Sequence, residues 1–209
     1  MLAPDLPGHG SAPPLERYSF EGIAAAVAAA LDPARAYVVL GHSLGGVVAL
    51  VLAGGGHGVQ VDAVVGLGIK VRWSAEELER AAALAARPPK AFPTYEEAAE
   101  RQLALAGLRG LVPPDGPVAA SGVRAEGTGW RPALDPRAFA VGAPDLPGLL
   151  ERARGQVLLA RGEHDPMVSE DDLAALGASH RSLPGLGHSA HVEDPAAVAG
   201  LLKGHLSVM

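Results

Sequence analysis

The stretch from Val38 to Leu50, Val-Val-Leu-Gly-His-Ser-Leu-Gly-Gly-Val-Val-Ala-Leu, most constrains what this chain can fold into. An apolar run ends in Gly-x-Ser-x-Gly, and an apolar, Ala-rich helical pattern follows at once. The spacing predicts a strand, a sharp turn and a helix, with Ser43 at the point of the turn. The backbone there is expected to be strained, so that the serine hydroxyl projects from the end of a sheet. Gly41 and Gly45 are expected to be glycine because a side chain would collide with the neighbouring strand or helix across so tight a turn. The helix aims its N-terminus at the site, which favours developing negative charge. The backbone N–H of Leu44 is then placed to donate to an oxyanion. In a chain with 27 glycines the five-residue pattern is weak alone. It gains force only if a base and an acid follow, in the right order, at other strand ends.

The flanking segments supply the sheet. Ser19 offers an N-cap, with Glu21 in the first turn, for a helix to about Leu31, which Asp32-Pro33 ends. Ala36 to Leu40 reads as a short buried strand, Gly54-Gly55-Gly56 stops the helix after the turn, and Val61 to Leu67 is the next strand. Helix, strand, helix and strand with short connections imply right-handed crossovers and a parallel sheet, hence an α/β fold. From Lys70 to about Pro147 the pattern changes. Ser74-Ala75-Glu76-Glu77 is a capping box opening a helix to about Ala86, and Thr94-Tyr95-Glu96-Glu97 starts a second to about Leu105. A Gly- and Pro-rich stretch with Trp130-Arg131 follows. This segment is too long for an ordinary crossover. It reads as a mostly helical cap or lid inserted over the sheet's carboxyl edge. The expected division is a core of residues 1–69 and 148–209 and a cap of 70–147. Gln156 to Ala160 resumes the sheet, a helix runs from Ser169 to Leu176, His180 to Leu183 is a last strand, and a final helix reaches about Leu206.

At 209 residues the chain suits one domain with a full core and room for such an insertion. A hydrophobic share of 48% and a charged share of 19% fit a soluble globular protein. A net charge of −6 without any Lys/Arg run argues against nucleic acid as a partner. The chain has no Cys, which excludes disulfides, a thiol nucleophile and thiolate metal sites, and fits a cytoplasmic location. No segment approaches the roughly eighteen continuous apolar residues of a membrane span, and Met1-Leu2-Ala3-Pro4-Asp5 lacks the features of a signal peptide. No ligand spacing supports a metal site, and no cofactor is expected.

In an open parallel sheet, ligands bind outside the carboxyl ends of the strands. Three polar residues fall there: Ser43 after the strand ending at Leu40, Asp165 after the strand ending near Ala160, and His188 after the last strand. His188 would take the proton from Ser43 and return it to the leaving group. Asp165 would hold the imidazole tautomer and stabilise the imidazolium. Glu163 is the alternative acid and His191 the alternative base; His164 reads as a loop residue. His42 is too close to Ser43 in sequence to be its base and is expected to line the pocket. Trp73 and Trp130, with Arg131, are candidates for substrate contact; packing is the ordinary role of such residues.

Four segments together resemble the α/β-hydrolase fold family of serine esterases, C–C hydrolases and haloperoxidase-like proteins. They are Asp5-Leu6-Pro7-Gly8-His9-Gly10-Ser11, Gly41-His42-Ser43-Leu44-Gly45-Gly46, Gly162-Glu163-His164-Asp165-Pro166-Met167-Val168, and Gly187-His188-Ser189-Ala190-His191-Val192-Glu193-Asp194-Pro195. The resemblance implies that fold, a Ser43–His188–Asp165 triad and a small-molecule substrate. It leaves the substrate and the oligomeric state open. Epoxide hydrolases and haloalkane dehalogenases of the fold use a carboxylate nucleophile, and Ser43 argues against both.

The chain also departs from that family. Members carry three strands before the Asp-Leu-Pro-Gly-His-Gly loop, and a His-Gly segment after the third supplies a second oxyanion donor. This sequence starts inside the fourth. The expectation is therefore a core lacking the first three strands, with the elbow strand at a sheet edge and Leu44 N–H as the remaining donor. Two readings follow: the family's activity belongs to a longer chain of which Met1 is an internal residue, or the chain exists as written and is inactive or partner-dependent. A third keeps the triad in a ligand receptor that hardly turns over.

Overall fold

The computed structural model describes residues 1–206. Its elements, in order, are α1 (Phe20–Ala29), β1 (Ala36–His42), α2 (Leu44–Ala53), β2 (Gln60–Leu67), α3 (Ala75–Ala85), α4 (Tyr95–Leu105), α5 (Pro117–Ser121), β3 (Val123–Glu126), β4 (Gly129–Pro132), a 3-10 segment (Pro136–Val141), α6 (Leu146–Arg152), β5 (Gln156–Gly162), α7 (Glu170–Ala174), β6 (Ser179–Leu183), α8 (Ala190–Glu193) and α9 (Pro195–Leu206). None of the described helices is long and apolar enough to cross a membrane. The chain divides into two compact units, residues 1–19 with 74–142 and residues 20–73 with 143–209.

The second unit carries a parallel sheet in the order β1-β2-β5-β6. Strands buried on both faces need apolar residues at successive positions. β2 meets that condition, with Ala63, Val64, Val65 and Leu67 wholly buried. α2 is apolar along its length and buried from Gly46 to Ala53, and α1 packs on it through Ile23, Ala24, Val27 and Ala28. At the carboxyl ends of the strands, Leu67, Ala160, Leu183, Ala190 and Val198 form one cluster, which ties β2, β5 and β6 to α8 and α9. β1 has one strand neighbour among the described residues, β2. Val38 is consequently 40% exposed, unlike residues 63–67 of β2, which are all buried.

The first unit holds helices α3, α4 and α5 and, within the segment expected to be mostly helical, a small hairpin. α3 opens with the Ser74–Glu77 capping box, and the Thr94 hydroxyl caps α4. Ala99, Leu103 and Ala119 form a small buried core beneath Tyr95 and Val123. The Gly- and Pro-rich stretch folds as an antiparallel hairpin, β3 with β4, turning at Gly127 with φ 60°. The first 19 residues group with this unit and not with the sheet, unlike the expected division. The reason lies in their hydrogen bonds: Gly10 N–H donates to Ala133 O at 2.8 Å and Asp135 N–H to Gly8 O at 2.7 Å. The Tyr18 hydroxyl donates to the Asp135 carboxylate at 2.9 Å.

Candidate active site

β1 runs straight into the turn, and Ser43 sits at φ 50°, ψ −116°. It is the single non-glycine residue with positive φ among those described. An L-residue in that region stores strain of about 1–3 kcal/mol, which the surroundings must enforce. Here Ser43 N–H donates to Leu67 O at 2.8 Å, and Ser43 O accepts from Gly46 N–H at 3.0 Å. The hydroxyl does not cap α2. The glycines beside it differ in their reasons. A Cβ on Gly41 would lie 2.1 Å from Gly45 O, and one on Gly46 would lie 2.6 Å from Ile69 Cγ1 and 2.9 Å from Gly41 O. A Cβ on Gly45 would meet nothing within 4 Å. The crowded pair is therefore Gly41 and Gly46, and not Gly41 and Gly45 as the motif suggests.

Asp165 and His188 meet on the loops after β5 and β6. The Asp165 side chain is fully buried, and its two oxygens accept from His188 Nδ1 at 3.1 and 3.0 Å. Its Oδ1 also accepts from Met167 N–H at 2.8 Å. Burial is the largest influence on this carboxyl and opposes its ionisation. The His188 and Met167 hydrogen bonds and the Arg161 charge outweigh it, and the net pKa lies below the ordinary carboxylate value. A carboxylate only accepts, so His188 Nδ1 carries the proton and Nε2 of the neutral ring keeps a lone pair. Gly68, at the end of β2, lies against this pair. Its φ is +62°, and a Cβ there would stand 3.2 Å from both Asp165 Oδ2 and His188 Nδ1.

Sequence reasoning did not single out Gly68 or Arg161. Arg161 is 8% exposed at the end of β5 and spans the acid loop. Its guanidinium donates to Val168 O at 2.8 Å, Glu163 O at 2.6 Å and Ser182 Oγ at 3.1 Å. Its one sequence signal is a charge at the end of an otherwise apolar strand. Glu163, the alternative acid, is occupied elsewhere: its Oε2 accepts from Gly185 N–H at 2.7 Å, while His188 is on Asp165. Glu193 accepts from Gly187 N–H at 2.7 Å in the same way. Two carboxylates thus hold the backbone of the histidine loop. His164 N–H donates to Leu186 O at 2.8 Å and, with the Glu163–Gly185 bond, ties the acid loop to the histidine loop.

His42 joins the turn to that loop. Its Nε2–H donates to the His188 carbonyl oxygen at 2.9 Å. Its ring lies 4.6 Å from that of His188 and 4.3 Å from that of His191. Nδ1 of His191 is buried without a hydrogen-bond partner. Burial, and then the two neighbouring imidazoles, push the His42 pKa down to about 4, while burial and then the His188 imidazole lower that of His191 against the opposing Glu193 charge. Unfolding would release His42 to its ordinary value of 6.5, so between these values the unfolded chain binds more protons. Stability therefore rises with pH across that window, and His42 accounts for roughly 2 kcal/mol between pH 5 and 7. Urea unfolding of His42→Gln at the two pH values should show a pH difference smaller by about that amount; an unchanged difference would reject the assignment.

The two tryptophans fall in different units. Trp73 lies in the second, with Lys70 Nζ 5.5 Å from its ring centroid. Trp130 lies on β4 in the first, with its ring edge-on to Tyr95 at 5.4 Å. No group of three or more His, Asp or Glu side chains suited to a metal ion occurs among the described residues.

A family model described as the alpha/beta hydrolase family matches residues 1–201. No curated protein sequence matches the chain. Among solved structures, an E-2-(acetamidomethylene)succinate hydrolase superposes with a TM-score of 0.77 at 24% identity, covering 97% of this chain and 80% of that one. The thioesterase domain from the curacin biosynthetic pathway gives 0.71 at 20% identity, with 95% and 79% covered. An esterase from M. tuberculosis gives 0.69 at 25% identity, with 97% and 75% covered. The parallel sheet, the strained serine turn and these matches agree: the chain belongs to the alpha/beta hydrolase family.

Proposed function

We propose that the chain is a serine hydrolase acting in the cytoplasm on a small, largely apolar ester, amide or carbon–carbon bond to a carbonyl, through an acyl-enzyme. Ser43 Oγ attacks the carbonyl carbon while His188 Nε2 takes its proton. The tetrahedral oxyanion receives the Leu44 N–H at the N-terminus of α2. Collapse expels the leaving group, which takes the proton from His188. Water then gives a proton to His188, attacks the acyl carbon and releases Ser43. Asp165 stays ionised throughout and stabilises the imidazolium. The observation that carries this reading is the buried Asp165 carboxylate on His188 Nδ1 at 3.0 Å, which leaves Nε2 as the free basic atom. His42 and Trp73 are proposed to contact substrate.

The test is a fluorophosphonate probe, with the adduct located by mass spectrometry. The expected result is a single adduct on Ser43 and none in Ser43→Ala. No adduct on the wild-type chain, or equal labelling of the variant, would overturn the reading. A second reading, in which the site works only when the edge of β1 is covered, is favoured by the exposure of Val38 on that strand. Labelling that appears only as protein concentration rises would favour it.

A further inference from the structure

Two cavities in the first unit share Arg87, Pro88, Pro89, Arg131 and Pro136 in their walls, and measure about 390 and 460 Å³. Both are within the size range of small-molecule sites. The smaller is lined by four cations, Arg87, Lys90, Arg101 and Arg131, and by no carboxylate. Such a concentration of positive charge is unexpected in a chain of net charge −6. The rest of its wall is apolar and includes Leu84, Phe92, Leu105 and Phe139.

The cations are not equally committed. Arg131 is fixed, with Nε on Glu126 at 2.8 Å and another guanidinium nitrogen on Pro132 O at 3.2 Å. Lys90 lies over the Phe92 ring at 4.8 Å. The guanidinium groups of Arg87 and Arg101 make no hydrogen bond or ion pair among the described residues, so each keeps a full fork of donors. Like charges crowded on an apolar wall repel one another, and an anion relieves that cost. A guanidinium fork fits a carboxylate in two parallel hydrogen bonds. The ring of Phe139 and the Leu84 and Leu105 side chains offer an aliphatic tail an apolar wall. Prolines at 88, 89, 132 and 136 limit backbone freedom around it, which lowers the entropic cost of binding.

We propose that this cavity binds an amphiphilic carboxylate, with its head on Arg87 and Arg101 and its tail along the Phe139 wall. The site is independent of whether Ser43 is a nucleophile, and it is read by binding rather than turnover.

Isothermal titration of the full chain with decanoate tests it, with decanol as the neutral amphiphile and acetate as the tail-less anion. Decanoate is expected to bind at least about tenfold more tightly than either. Arg87→Gln with Arg101→Gln should weaken decanoate about tenfold and leave decanol unchanged. Arg80→Gln, on an exposed arginine of α3 paired with Glu76, should leave decanoate binding unchanged. Thermal unfolding of each variant confirms that it is folded. Equal affinity for decanoate and decanol, equal affinity for decanoate and acetate, no binding of decanoate, or a double variant that binds as the wild type does would each overturn the proposal.

Discussion

Changing Asp165 to Asn is expected to lower kcat for a p-nitrophenyl ester by about 10⁴-fold, with KM nearly unchanged. The argument runs through one proton. Asp165 only accepts, so it holds the Nδ1–H tautomer of His188 through contacts of 3.0 and 3.1 Å. An Asn side chain fills the same space, and its Oδ1 can still take the Met167 N–H. Its amide nitrogen, however, donates. Turned toward His188, it selects the tautomer with the proton on Nε2, and that atom can no longer accept the Ser43 proton. Binding of substrate is not touched, which is why the loss falls on kcat. The buried Arg161 keeps its bonds to Val168 O, Glu163 O and Ser182 Oγ, so the acid loop should hold its shape. The comparison variant is Glu163→Gln. Its amide oxygen still accepts the Gly185 N–H, and kcat should fall by less than about tenfold. A large loss in Glu163→Gln, or a small one in Asp165→Asn, would reassign the acid.

The parts of this molecule that were legible in its sequence are those fixed by local chemistry. β1, α2 and β2 show as apolar runs broken by glycines; α2 and most of β2 are buried, whereas β1, read as a buried strand, is largely half-exposed at the sheet edge. The helix starts at Ser74 and Thr94 were readable because a hydroxyl three residues before a Glu satisfies backbone donors without outside help. Asp165 and His188 stand out as polar residues just past strand ends, although strand ends alone do not separate them from Glu163 and His191 on the same loops. The hairpin β3–β4 was missed although Gly127-Thr128 separates two short extended segments, a usual hairpin spacing. Its apolar content is low, and strands of four residues are too short to show an alternating pattern. Arg161, Gly68 and the Glu163–Gly185 tie were not legible, because each is defined by a partner far away in sequence. Arg161 spans residues 163 to 182, and Gly68 matters only because the Asp165–His188 pair lies against it. The grouping of residues 1–19 with the inserted segment is of the same kind, since it rests on bonds from Gly8, Gly10 and Tyr18 to Ala133 and Asp135.

The elbow glycines give the sharpest stability contrast. Gly41→Ala is expected to destabilise the fold by more than about 3 kcal/mol, and Gly45→Ala to change it by less than about 1 kcal/mol, in the stabilising direction. The Gly41 methyl would stand 2.1 Å from Gly45 O and 2.6 Å from Gly46 N. Both are backbone atoms at the start of α2, and they are held in place by the Ser43 O to Gly46 N–H bond at 3.0 Å. They can yield only if β1 and α2 separate, which would also break Ser43 N–H from Leu67 O and release the strained φ of Ser43. Gly45 has open space and sits in the first turn of a helix, where alanine restricts the unfolded chain without cost to the folded one. Gly46→Ala should fall between them. Its nearest neighbour is the flexible end of Ile69 at 2.6 Å, but Gly41 O at 2.9 Å cannot move. Urea unfolding of the three variants ranks them directly, and equal losses at Gly41 and Gly45 would refute the packing argument. The ranking also separates motif from mechanism: of the two glycines in Gly-x-Ser-x-Gly only Gly41 is crowded, and the second crowded position is Gly46, just past the motif.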